Sequence, residues 1–173
     1  MSRSRFAITS ALALALVASV SAAADAQQLT RSGVRARPAV ITQEDIMDAA
    51  ARADGYAQSG QFALARREYR EAGALQLRVK ELPTNAMWQV ASAYYAEGSL
   101  ARAAQTLDEL AALAAAHREP NVRAKALLEA AFLYRAAGQW ERPQEIAKEL
   151  RQMCERAALD PELKSTIERR LAK

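Results

Sequence analysis

The sequence predicts an all-α protein built from repeated helical hairpins, with about seven helices. Three observations predict it. Ala fills 42 of 173 positions, against 6 Gly and 5 Pro, and Ala loses no side-chain entropy in a helix. Apolar and small residues recur at three- and four-residue spacing through the body of the chain, which places them on one helix face. Three segments share one shape: Tyr56-Ala-Gln-Ser-Gly60-Gln-Phe62, Tyr94-Tyr-Ala-Glu-Gly98-Ser-Leu100 and Tyr134-Arg-Ala-Ala-Gly138-Gln-Trp140. Their glycines are 38 and 40 residues apart, and a fixed period of this size is the mark of a repeat array.

The amino terminus reads as an address. Arg3 and Arg5 precede an uncharged apolar stretch from Phe6 to Val20, and Ala24-Asp25-Ala26 fits small-residue cleavage before Gln27. This is the three-part layout of a secretory signal peptide over residues 1–26. The competing reading is a retained anchor, but the stretch is short and Ala-rich, whereas a spanning helix needs about 20 strongly apolar residues. The expected product is exported: periplasmic in a two-membrane bacterium, otherwise secreted, with no stable membrane insertion after cleavage.

Charge has to be divided along the chain before it means anything. The whole chain carries +4, but Arg3, Arg5, Arg31, Arg35 and Arg37 precede residue 41, leaving 19 basic and 19 acidic residues after it. The folded part is neutral, so no nucleic-acid partner is expected. Residues 27–40, polar and without apolar periodicity, read as a flexible basic leader. Contact of Arg31, Arg35 and Arg37 with anionic lipid or an acidic partner is the alternative, and three charges are few for it.

The helices follow in order over residues 41–173. Thr42 with Asp45 three later opens the first as a capping box. Its small residue Ala53 lets a second helix approach, Tyr56 fills the space near the turn, and Gly60 supplies the left-handed residue that ends it. Ala65, Tyr69 and Ala72 then face inward from the second helix. Pro83-Thr84 closes this hairpin and caps the next. There Ala91, Tyr94 and Gly98 repeat the pattern, followed by Ala103, Leu107 and Leu110. Pro120-Asn121 opens a third hairpin with Ala131, Tyr134 and Gly138, then Pro143, Ala147 and Leu150. Phe62, Leu100 and Trp140 are expected to start the buried faces of the second helices. Asp160, as N-cap to Pro161, opens a last helix over residues 160–173, with Leu163, Ile167 and Leu171 on its apolar face. Such a helix caps a stack, one side to its neighbour and one to water.

These three units resemble the tetratricopeptide repeat (TPR) family. The likeness runs from Ala53 to Ala72, from Ala91 to Leu110, and more loosely through the third unit, where Pro143 stands in place of the family's small residue. The bulky residue at the start of each first helix is Ala49, Met87 and Leu127. Pro83 and Pro120 only loosely match the family's closing Pro, and the 38- and 40-residue periods exceed its 34. The resemblance implies a right-handed solenoid: three helix pairs over 41–159 and a capping helix, with ligands lying along a concave face lined by the first helix of each pair.

That face, carried over position by position, holds Asn85, Trp88, Ser92 and Tyr95 in the second unit. In the third it holds Lys125, Leu128, Phe132 and Arg135, and in the first Met47, Ala50, Asp54 and Ala57. The 3-4-3 spacing keeps each set on one helix face. Aromatics and Arg dominate binding energy at interfaces, so this face suits an extended or helical peptide with apolar anchors and an acidic group. The other reading makes Trp88, Tyr95 and Phe132 core packing. The acidic-tail clamp of some family members is not matched, because those positions hold Ala50, Trp88, Leu128, Asp54, Ser92 and Phe132.

Signatures of chemistry are lacking in the sequence. It has no G-x-S-x-G, G-x-x-x-x-G-K or H-E-x-x-H, one His and one Cys, so neither catalysis, a metal nor a cofactor is expected. His117 reads as a favourable charge at a helix carboxyl end. Cys154 reads as a buried inert thiol or, in an oxidising compartment, as half of an intermolecular disulfide. The expectation is a non-enzymatic scaffold for protein–protein interaction. Its partner is a protein or peptide of unknown identity. The alternative is a self-associating structural module of the cell envelope, a homo-oligomer.

Overall fold

The fold is taken from a computed structural model that describes residues 40–172. The expected signal peptide and nearly all of the basic leader lie outside these residues. Seven α-helices and no strand occur among them: α1 (Gln43–Gln58), α2 (Phe62–Arg78), α3 (Thr84–Ala96), α4 (Leu100–Ala116), α5 (Pro120–Ala136), α6 (Glu141–Arg156) and α7 (Pro161–Leu171). Each helix packs chiefly on its neighbours in sequence, and α7 touches both α5 and α6. The all-α hairpin array expected from the sequence is therefore observed. Among the described residues no helix is long and apolar enough to cross a membrane.

One capping device closes the first five helices. Gly60, Gly98 and Gly138 have φ of 73°, 74° and 76°. In each case the next N–H reaches back to the carbonyl of the turn tyrosine: Gln61 to Tyr56 at 2.8 Å, Ser99 to Tyr94 at 2.9 Å and Gln139 to Tyr134 at 2.9 Å. This is the six-to-one bond of a Schellman motif. The aromatic-to-Gly spacing in the sequence is thus the spacing from the carbonyl acceptor to the left-handed residue. The ends of α2 and α4 use the same closure without glycine. Lys80 and Arg118 take φ of 64° and 60°, and Glu81 and Glu119 donate to Gln76 and Ala114, both at 2.9 Å.

A left-handed conformation costs a residue with a Cβ roughly 1–2 kcal/mol. Gly98→Ala is therefore expected to destabilise by about 1 kcal/mol, and Arg118→Gly to stabilise by a similar amount. Urea unfolding followed by helical circular dichroism checks both. Equal midpoints for the two variants would contradict the assignment of strain to this turn.

The α1 start matches its capping box: the Thr42 N–H donates to Asp45 Oδ2 at 2.8 Å, and the Asp45 N–H donates to Thr42 Oγ1 at 3.3 Å. That backbone bond holds the Asp45 carboxyl below the usual range. Three other starts differ from expectation. Pro83 and Glu119 occupy the N-cap positions of α3 and α5, neither with a side-chain cap. Asp160 precedes Pro161 as expected, yet its side chain caps nothing. Instead its backbone N–H donates to Asn121 Oδ1 at 2.9 Å. That bond ties the α6–α7 connection to the first turn of α5, which takes the place of a local cap.

The core lies between the hairpins. Leu107, Leu110, Leu127, Ile146, Leu150 and Ile167 are all fully buried. Ala53, Ala91 and Ala131, the small residues ahead of each turn, are buried as well. Close approach at the first seam also needs Gly73 in α2, where an added Cβ would lie 3.3 Å from the Pro83 Cβ. Pro143 is buried within the first turn of α6, where its missing N–H has no intrahelical acceptor to lose. Phe62 and Leu100 are half-buried at the starts of α2 and α4. Trp140 is the exception, 64% exposed. It sits before α6 as the N-cap residue rather than inside the helix, so it does not open a buried face.

A charged link crosses every seam between hairpins. Arg66 of α2 pairs with Glu97 at the end of α3 and lies 4.3 Å from the centre of the Tyr94 ring. Arg142 of α6 grips Asp108 of α4 with two bonds, 2.8 and 2.7 Å. These bonds to Asp108 raise the guanidinium's pKa further. Arg170 of α7 pairs with Glu129 of α5 at 2.9 Å. The buried tyrosines also find acids: the Tyr69 hydroxyl donates to Asp54, and that of Tyr134 to Asp108 at 3.4 Å.

Candidate binding groove

Two cavities lie side by side along α5. The first, of about 340 Å³, sits between α3 and α5. Trp88, Ser92 and Tyr95 form one wall, Glu129 and Phe132 the other, and Leu107 of α4 lies beneath. The second, of about 400 Å³, sits between α5 and α7. Leu128, Phe132 and Arg135 face Arg170 and Leu171, with Pro143 and Leu150 of α6 beneath. The two share Glu129 and Phe132. Each is therefore walled by alternate helices and floored by the helix between them, as stacked hairpins require.

Six of the eight site residues read from the sequence line these cavities: Trp88, Ser92, Tyr95, Leu128, Phe132 and Arg135. Asn85 and Lys125 are exposed, one turn before Trp88 and Leu128, and line neither cavity. The first-unit stripe of Met47, Ala50, Asp54 and Ala57 adds nothing to either. The choice between groove and core divides by residue. Leu128 is buried and belongs to the core cluster. Trp88 is half-buried, packed against that cluster on one side and lining the cavity on the other. Tyr95 and Phe132 are each 58% exposed. That much open aromatic surface at two neighbouring positions is an unsatisfied apolar face rather than core.

Sequence reasoning passed over Glu129 and Arg170. Glu129 lies four residues after Lys125 and three before Phe132, so the same helical spacing places it on the stripe. Arg170 gave no comparable signal, because its role depends on where α7 docks. Both line the second cavity and pair with each other there. Arg135, one turn beyond Phe132, has no ion-pair or hydrogen-bond partner among the described residues. The second cavity's lining thus holds Glu129 neutralised by Arg170, plus one unpaired cation. The first holds no cation.

The lining has no nucleophile beside a base, and Ser92 is exposed with no acceptor of its proton among the described residues. Cys154 lies elsewhere, half-buried between α6 and α7. Burial pushes its thiol up, away from the thiolate that reactive cysteines use. His117 is the C-cap residue of α4.

No protein-family model, curated protein or solved structure matches this chain.

Proposed function

We propose that this chain is an exported, non-enzymatic scaffold of the tetratricopeptide type that captures a protein or peptide in the groove along α5. The observation that carries the reading is the repeated build of the two cavities. Each presents exposed aromatic surface from the first helix of a hairpin above a floor set by the second helix. Rigid anchors held at fixed spacing lose little freedom on binding, so the ordering cost is small. The repeat resemblance supports the same face. The alternating apolar walls with few charges suit a peptide better than a nucleic acid, and the neutral body agrees.

Photo-crosslinking in the exporting cell tests this. A photoreactive residue is placed at Tyr95, at Arg135 and, for comparison, at Gln105, which is exposed on α4. One discrete heavier band from the first two positions and none from Gln105 is the expected result. A band at twice the chain's own mass would point to the self-associating envelope module instead. Equal bands from all three positions would remove the groove reading.

A further inference from the structure

We infer that the groove reads a directional peptide: two apolar side chains straddling Phe132, with a carboxylate on the α7 side held by Arg135. The inference rests on the groove reading above and specifies what the groove selects.

Phe132 stands between the cavities and lines both. A ligand crossing the groove must therefore place one apolar group on each side of the ring. The cavities lie on opposite flanks of one helix, whose diameter with side chains is about 10 Å. An extended chain with a polyproline-type backbone advances about 3.1 Å per residue and returns to the same face every third residue. Two anchors three residues apart span roughly 9 Å on one face, which matches the width to be crossed.

Charge sets the direction. The α3–α5 cavity carries only Glu129, already engaged by Arg170. The α5–α7 cavity carries Arg135 as well. Arg135 is exposed and unpaired, so its guanidinium fork is open to a planar carboxylate. An acid at the α3 end would meet Glu129 and the aromatic wall, and gain nothing. An acid beyond the second anchor meets Arg135. Lys125 does not compete for it, since it lies outside both cavities. The carboxylate sought here belongs to an Asp or Glu side chain within the peptide.

A phage-displayed random dodecapeptide library, selected on the full chain and in parallel on Arg135→Glu and Phe132→Ala, tests this. The wild type is expected to enrich peptides with apolar residues three apart and an Asp or Glu within the next few positions. Arg135→Glu should lose that acidic preference and bind the wild-type consensus at least tenfold more weakly. Phe132→Ala should lose the spacing. Because Arg135 is exposed and unpaired, Arg135→Glu keeps the fold, which helical circular dichroism checks. Peptides that need Phe132 but are indifferent to Arg135→Glu would overturn the directional inference and leave the groove standing. Peptides indifferent to both variants would overturn the groove reading as well. An absence of any enrichment would overturn the extended-peptide inference, with crosslinking from Tyr95 then deciding the groove.

Discussion

Replacing Leu107 by Ala is expected to lower the unfolding free energy by about 2–5 kcal/mol. Leu107 is fully buried, packs in the main core cluster and forms the floor of the α3–α5 cavity. Truncation removes its transfer free energy. It also leaves a void that the surrounding Ala-rich helices fill poorly, because an Ala side chain has no heavy-atom torsion with which to swing inward. Against a total stability of about 5–15 kcal/mol, a mid-range loss takes about a third. At roughly 3–5 °C per kcal/mol for a chain of this size, the thermal midpoint falls by about 6–25 °C. Leu107→Met keeps the volume and should cost less than about 1.5 kcal/mol. Urea titrations of the three proteins check this. A loss below about 1 kcal/mol for the Ala variant would mean that the hairpins re-pack freely across this seam.

The second large effect is alkaline. Burial, followed by the negative charge of Asp108, pushes the Tyr134 hydroxyl up to about 12. Burial and its bond to Asp54 push Tyr69 up as well. A raised pKa means that the native state keeps these protons while the unfolded chain releases them near pH 10. The stabilisation is complete below pH 10 and is lost as pH rises through about 12 for Tyr134. Stability should fall over that window by roughly 2 kcal/mol for Tyr134, since one pKa unit is worth about 1.4 kcal/mol, and Tyr69 adds a loss of the same sign. Denaturant midpoints at pH 9, 10, 11 and 12 measure it. Tyr134→Phe should flatten the slope, having lost the group that titrates. An equal slope in that variant would place the alkaline loss on other groups.

How much of this was legible in the sequence follows from what each feature depends on. The three glycine turns were legible because a left-handed residue favours one residue type and the six-to-one closure fixes its distance from the tyrosine. The closures at Lys80 and Arg118 were not. There the left-handed conformation falls on residues with a Cβ, which no residue name announces. The inward residues Ala65, Tyr69, Ala103, Leu107, Ala147 and Leu150 followed from helical periodicity alone. Trp140 was misassigned because the repeat pattern places a large residue there without saying whether the helix has begun. In the groove, Trp88, Ser92, Tyr95, Leu128, Phe132 and Arg135 followed from the resemblance to the repeat family, which points to one stripe, and helical spacing keeps each set on one face. Arg170 and the neutralisation of Glu129 did not. Both depend on a contact between helices 41 residues apart in the chain, and local periodicity carries no information at that range.

The charged links across the seams have a consequence separate from strength. Each is partly exposed and contributes only about 0–1 kcal/mol. The apolar surfaces that they border are another matter, being dominated by Ala and Leu and nearly interchangeable from one hairpin to the next. A chain with three similar hairpins can therefore stack them in the wrong order, or lend one to a second molecule, while burying almost the same area. The pairs Arg66–Glu97, Arg142–Asp108 and Arg170–Glu129 differ in position along the helices, and the first puts its Arg on the earlier hairpin whereas the other two put it on the later element. A mis-stacked hairpin would leave a guanidinium facing methyl groups and an acid facing solvent. The three links thus serve as addresses, telling each hairpin which neighbour is its own in a stack whose greasy surfaces cannot.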